Sequence, residues 1–228
     1  QHISHLPTAS LYTLTHGTPA GRMAIYHRHD LWDMESFCTD TISIHPNLQC
    51  ARFTHKIQKT TIALTNVYLP PKQTTESTKT ALQTAFQWMD SQKQTTDHVF
   101  IAGDLNAHTN YPIAEHADAV LTNRCRGVLK HTDEVIQSNK AFQRGRTLQR
   151  LLENYECAIL NGRHQNHPDD CATRIPTNLH PDPSILDYII TYTNDALTHN
   201  SFTTTVLTHS NALILTDHNL IKATITPT

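Results

Sequence analysis

An apolar run followed by a polar loop lies near the middle of the chain, in the stretch Val99-Phe100-Ile101-Ala102-Gly103-Asp104-Leu105-Asn106-Ala107-His108. A short apolar run that ends at a glycine is typical of a buried strand. The residues after it are expected on a loop that the strand holds in place, where α/β proteins often carry catalytic groups. Read alone, Asp104 and Asn106 favour a turn, because both side chains readily form hydrogen bonds with the nearby backbone.

Three further segments place an acidic, phenolic or imidazole group at the edge of a strand-like run. They are Asn66-Val67-Tyr68-Leu69-Pro70-Pro71, Ser184-Ile185-Leu186-Asp187-Tyr188-Ile189-Ile190 and Thr216-Asp217-His218-Asn219-Leu220-Ile221. The first closes an alternating run that begins at Thr61. The pair Asp217-His218, directly before a final strand, is the strongest companion of the central motif.

In order and spacing, these four motifs resemble the endonuclease/exonuclease/phosphatase superfamily, over nearly the whole chain. Within it, the sequence is most similar to the apurinic-type endonuclease domain of non-LTR retrotransposons. Three segments carry that similarity: Asn106-Ala107-His108, Gly145-Arg146-Thr147-Leu148 and Leu160-Asn161-Gly162. The resemblance implies an α+β fold of two packed β-sheets flanked by helices, which is the four-layer α/β sandwich of DNase I-like proteins.

Length and composition predict one domain over residues 1–228. The chain has 18 Lys and Arg against 20 Asp and Glu, a formal charge of -2, so it lacks the basic surplus that drives tight nonspecific DNA binding. No apolar stretch approaches the roughly 20 residues of a transmembrane helix, and no signal peptide is recognised at the start, which favours a nuclear or cytoplasmic location. The cysteines are widely spaced and favour reduced thiols: Cys38, Cys50, Cys125, Cys157 and Cys171.

The pattern of apolar residues predicts a sheet-rich chain with two helices. Residues 74–92 carry Leu82, Ala85, Phe86 and Met89 at helical spacing after a Thr and Glu start suited to a cap. A second helix is predicted from residue 146 to about 156, with an irregular region before it at 108–144. Strands are predicted near residues 10–14, 21–28, 48–56, 60–68, 98–102, 157–160, 185–191, 202–208 and 219–226.

The resemblance assigns roles in phosphodiester hydrolysis, in which an enzyme activates a water, steadies the phosphate and helps an alkoxide leave. Asp104 resembles the general base or water-orienting carboxylate, and Asn106 would hold that water or a nonbridging oxygen. His218 resembles the imidazole that contacts the phosphate, and Asp187 the carboxylate that fixes its tautomer. Tyr68 would donate its hydroxyl to the phosphate. Two alternatives stay open: Tyr68 could only pack at the end of its strand, and Asp187 could be a buried partner of a backbone amide.

A divalent metal is also implied by the resemblance. Asp217 resembles the carboxylate beside the metal, and Mg²⁺, with Mn²⁺ as an alternative, suits oxygen ligands. A cluster of potential zinc ligands lies in loop-like sequence and consists of His164, His167, Asp169, Asp170 and Cys171. Its spacing fits no common zinc motif.

One departure from the superfamily concerns the start of the chain. The superfamily carries an early strand with an Asn and then a Gln-Glu-Thr type motif whose Glu binds the metal. Neither is found ahead of the strand at 21–28, and Glu35 and Glu76 follow the wrong segments to replace that Glu. We therefore expect an N-terminally incomplete domain that lacks the first strands of one sheet.

Two classes of function follow from these observations. The first is a Mg²⁺-dependent endonuclease that nicks DNA for target-primed reverse transcription, with a reverse transcriptase domain elsewhere in a longer polyprotein. The second is a catalytically inactive remnant of that domain. A phosphatase or an RNA phosphodiesterase of the same superfamily stays open within the enzyme class, because one fold hosts many substrates.

Overall fold

The computed structural model describes residues 12–17, 23–37, 45–108, 140–160, 173–174, 185–194, 202–207, 218 and 220–225. In chain order the elements are β1 (Tyr12–Gly17), β2 (Ala24–Arg28), β3 (Trp32–Phe37), β4 (Leu48–His55), β5 (Thr61–Tyr68), α1 (Thr75–Gln92), β6 (His98–Asp104), α2 (Lys140–Asn154), β7 (Cys157–Ile159), β8 (Asp187–Tyr192), β9 (Phe202–Leu207) and β10 (Leu220–Ile225). Asp217, the cluster of potential zinc ligands at 164–171, and Cys38, Cys125 and Cys171 lie outside these residues.

Six of the strands form one mixed sheet in the order β3-β4-β5-β6-β8-β7. Strands β5 and β6 are parallel and are joined through α1, whereas the other neighbours in this sheet are antiparallel. Two further antiparallel ladders pair β1 with β2 and β9 with β10. The predicted α+β class is therefore confirmed.

The two faces of the six-stranded sheet bury different sets of residues, because alternate side chains of a strand point to opposite faces. One face packs against the helices. Its core joins sheet residues such as Val67, Ile101 and Ile190 to Phe86 of α1 and Leu148 of α2. The other face carries a second apolar layer that includes Ile62, Leu64, Phe100, Ile189 and Leu160. There Ile25 of β2 packs against Ala51 and Phe53 of β4.

Helix α1 matches its prediction. The hydroxyl of Thr74 accepts a hydrogen bond from the amide of Ser77 at 3.3 Å and caps the first turn. The four apolar side chains that the spacing predicted for the buried face are fully buried: Leu82, Ala85, Phe86 and Met89.

Helix α2 begins six residues before its predicted start, at Lys140 rather than Arg146. The predicted irregular region at 108–144 is therefore wrong at its end, while residues 109–139 lie outside the described part. Glycine is unfavourable inside a helix, so Gly145 moved the predicted start too far along the chain. In the structure Gly145 is buried within the helix.

Strand β3 was not predicted from the sequence. It lies at the edge of the sheet, where Met34 is 41% exposed and cross-strand polar pairs hold it to β4. Glu35 pairs with Arg52 at 2.7 Å and also contacts Thr54. An edge strand of this kind lacks a strong apolar signal. The other predicted strands are found with modest shifts of their ends.

Candidate active site

Three of the predicted site residues lie side by side on neighbouring strands. Tyr68 at the end of β5 is in register with Asp104 at the end of β6, and Asp104 is in register with Asp187 at the start of β8. Val67 and Tyr188, one position away, are buried in the core beneath the helices. By alternation, Tyr68, Asp104 and Asp187 belong to the face turned away from the helices.

Asn106 holds the carboxylate of Asp104 in place. Its backbone amide donates to Oδ1 of Asp104 and its side-chain Nδ2 donates to Oδ2, both at 2.9 Å. Nδ2 also donates to the carbonyl oxygen of Leu69 at 2.9 Å. Asn106 has a φ of 44°, in the left-handed region that asparagine tolerates better than most residues. The expected turn chemistry and the predicted site thus coincide in one loop.

His218 joins the row through Asp187. Its Nδ1 lies 2.8 Å from Oδ2 of Asp187, and since a carboxylate can only accept, Nδ1 is the protonated nitrogen. Asp187 is itself fixed by its backbone amide, which donates to the buried hydroxyl of Thr173 at 3.1 Å. An isolated backbone bridge pairs Arg174 with His218. This bridge holds the backbone of His218 beside residues 173–174, which also bind the amide of Asp187.

The electrostatics of the site are centred on Asp104. Burial raises the pKa of Asp104 to about 6, and the negative charge of Asp187 acts in the same direction. The hydrogen bonds that the backbone and side chain of Asn106 donate, and the charge of His218, oppose this rise in pKa. Two carboxylates held close together on one sheet face are an arrangement that a bound cation would stabilise.

The donor set fits a divalent cation. One ligand atom each from Asp104, Asp187 and His218 lies within 4.8 Å of the others, and this is the one such group among the described residues. Two carboxylates provide the anionic oxygens that hard ions prefer, while imidazole is a poorer ligand for Mg²⁺. Glu35 and Glu76 do not join this group: Glu35 is paired with Arg52, and Glu76 lies in the first turn of α1.

Other residues that support the site were not identified from the sequence. The hydroxyl of Thr173 accepts hydrogen bonds from the backbone amides of Leu186 and Asp187, at the start of β8. Tyr188 is buried, and its hydroxyl lies 2.6 Å from the carbonyl oxygen of Ala107. Arg144 is buried behind the loops after β5 and β6. The spacing of Arg144, Leu148 and Leu151 places them on one helical face, which is a signal for the burial of Arg144 but not for its contacts with the loops.

Comparison with solved structures identifies the fold. The 3'-5' exonuclease NExo from Neisseria meningitidis matches with a TM-score of 0.58 at 14% identity, over 96% of this chain and 83% of that one. The endonuclease domain of TRAS1, a telomere-specific non-LTR retrotransposon, matches with a TM-score of 0.57 at 16% identity, over 94% and 80%. A mannosyl-6-phosphatase from Bacteroides thetaiotaomicron gives a TM-score of 0.57 at 11% identity, over 95% and 77%.

Sequence comparison gives no match, either to a family model or to a curated protein. None of the described helices is both long enough and apolar enough to cross a bilayer. The structural matches cover most of this chain and agree with the architecture that the four motifs predict. The chain therefore has the fold of the endonuclease/exonuclease/phosphatase superfamily.

Proposed function

We propose that the chain is a Mg²⁺-dependent phosphodiesterase that nicks DNA, as the endonuclease of a non-LTR retrotransposon. One observation carries this proposal: Asp104 and Asp187 are held in register on adjacent strands, and His218 is bonded to the second carboxylate. The motif resemblance and the likeness to the TRAS1 endonuclease domain support the retrotransposon assignment. Its partners would be DNA and a reverse transcriptase domain of the same polyprotein, in the nucleus or cytoplasm.

Asp104 is proposed as the group that orients and deprotonates the attacking water. Without a bound ion, a pKa of about 6 leaves its carboxyl largely ionised at neutral pH, as a group that accepts a proton must be. Both hydrogens of the Asn106 amide group have protein acceptors, Asp104 and Leu69. Within the described part of the chain, Oδ1 of Asn106 accepts no hydrogen bond, so Oδ1 is the atom that would accept one from the water. Asn106 is less suited to hold a nonbridging oxygen.

His218 and Tyr68 are proposed to contact the phosphate. Asp187 holds Nδ1 of His218, and the ring would donate from Nε2 to a phosphate oxygen in its protonated form, in which both nitrogens carry a hydrogen. Tyr68 stands in the same row of the sheet beyond Asp104, where its hydroxyl would act as a further donor.

The carboxylates of Asp104 and Asp187 would hold the metal, and Asp217 is proposed as a further ligand. When bound, Mg²⁺ neutralises charge on the phosphoryl oxygens. Mn²⁺ would serve in the same way because it prefers the same oxygen ligands.

The proposal is tested by nicking of supercoiled plasmid with Mg²⁺ and with EDTA. We expect open circles with Mg²⁺ alone, and a loss of about 100-fold or more in rate for Asp104→Ala. Asp33→Ala is the matched control, because Asp33 is an exposed carboxylate on the edge strand β3. Wild-type protein that is folded yet does not nick would contradict the proposal and favour an inactive remnant; cleavage of phosphomonoesters alone would favour a phosphatase.

A further inference from the structure

Arg144 is a buried cation that none of the roles above uses. It lies in the first turns of α2, and only 4% of its surface is exposed. Arginine is almost never buried this fully without partners. Its neighbours in the helix, Arg146 and Arg150, are exposed in the ordinary way.

The guanidinium reaches the loop that follows β5. Nη2 lies 2.7 Å from the carbonyl oxygen of Pro70 and 3.1 Å from that of Pro71, with Gln73 further away at 3.4 Å. A weaker contact of 3.5 Å joins Nη1 to the carbonyl oxygen of Asn106, in the loop after β6. One side chain of α2 therefore binds both loops that border the candidate site.

These two loops also hold each other next to Arg144. The carbonyl oxygen of Leu69, directly before Pro70, accepts from Nδ2 of Asn106, and the amide of Leu69 donates to the carbonyl oxygen of Asp104. The same Nδ2 donates to the carboxylate of Asp104. A displacement of the Leu69–Pro71 backbone would thus move Asn106 and, through it, the Asp104 carboxylate.

We infer that Arg144 is a positioning residue for the proposed phosphodiester hydrolysis: its contacts with the Pro70, Pro71 and Asn106 carbonyls set the orientation of Asn106 and hence of Asp104. Only a guanidinium offers several N–H groups in one plane at the end of a long side chain. An ammonium at this position keeps the charge, but its three N–H groups diverge from a single atom and match carbonyls on both loops less well. The expected loss of nicking rate rests on the proposed function, whereas the expected change in the orientation of Asn106 rests on the described contacts alone.

The test compares Arg144→Met, Arg144→Lys and the matched control Arg150→Met, each in the full chain. We expect the nicking rate constant kcat of Arg144→Met to fall about 10- to 100-fold while KM for plasmid changes less than about twofold, as for loss of a residue that supports a site from behind. Arg144→Lys should recover part of this loss, and Arg150→Met should match the wild type.

A second readout is independent of activity. In an isotope-labelled chain, the side-chain amide signals of Asn106 should shift in Arg144→Met and exchange with water about tenfold faster, because their acceptors are no longer fixed. Unchanged Asn106 signals would overturn the inference even if the wild type does not nick DNA. It would equally be overturned by a lower melting temperature with an unchanged kcat per folded molecule, or by failure of both Arg144 variants to fold.

Discussion

Burial and the charge of Asp187 raise the pKa of Asp104, whereas the hydrogen bonds from Asn106 and the charge of His218 lower it. The net rise changes the free energy of unfolding with pH, which can be measured. The pKa of about 6 in the folded chain lies above the value near 3.9 of an unperturbed aspartate. Between these values the folded state binds a proton that the unfolded state has lost. Stability from this group is therefore fully present below the unfolded pKa and is lost as the pH rises through the folded pKa.

The substitution Asp104→Asn removes this titration. We expect the free energy of unfolding of the variant, relative to wild type, to rise by about 2 kcal/mol between about pH 4.5 and 7.5. Urea unfolding in EDTA at both pH values measures it. Any constant cost of altered bonds with Asn106 cancels in the comparison between pH values. A difference that does not change with pH would show that Asp104 has no raised pKa.

Asp187 acts through the orientation of His218. In Asp187→Asn the side chain is neutral and its amide end can face Nδ1 of His218, so the favoured tautomer of the ring changes. We expect the nicking rate to fall by about 10-fold or more with little change in melting temperature. Wild-type rates at every pH tested would remove the pair from the mechanism.

Among the elements, the close approach of β5 and β6 depends on one glycine. Gly103 has a φ of 138°, and a Cβ added there would stand 2.0 Å from the carbonyl oxygen of Val67. Because that atom belongs to the backbone of the neighbouring strand, no side-chain movement relieves the clash. Asp104 follows directly, so the register that aligns it with Tyr68 depends on this glycine.

Gly103→Ala should therefore be destabilising by about 2 to 4 kcal/mol, from strain and separation of the two strands. The control Ala102→Gly, in the same strand, should cost only about 1 kcal/mol. Chemical denaturation of both variants measures the difference. Equal costs for the two variants would contradict the account of the strand pair.

The sequence predicts most elements of this fold but not all of them. Strands with long apolar runs, such as β5 and β6, and helix α1 with its cap have signals within their own residues. β3 does not, because cross-strand contacts such as Arg52 with Glu35 fix it in place. The start of α2 was also missed, because burial at Gly145 outweighs the poor helix propensity of glycine.

For the molecule as a whole, the site combines parts that are distant in sequence. The motifs indicated Tyr68, Asp104, Asn106, Asp187 and His218, and the structure brings four of them into hydrogen-bond or ligand-atom proximity, with Tyr68 in register beside them. Arg144 and Thr173 could not be assigned, since their roles arise only when separate segments meet at the two loops and at β8. The roles themselves stay predictions.

A divalent cation should stabilise the whole chain if the carboxylate pair binds it. At a Mn²⁺ or Mg²⁺ concentration ten times Kd, binding to the folded state alone adds about 1.4 kcal/mol to the free energy of unfolding. We expect the ion to raise the melting temperature of wild type but not of the Asp104→Asn, Asp187→Asn double variant. An equal rise in both proteins would place the ion elsewhere.

The central claim is that these residues together cleave phosphodiesters, and the most direct measurement is the rate of supercoiled-plasmid nicking per folded molecule with Mg²⁺. Wild type is compared with the Asp104→Ala, His218→Ala double variant, after circular dichroism has established that both are folded. The account predicts nicking by wild type and none above background by the double variant. Retained nicking by the folded double variant would contradict the assignment of the site.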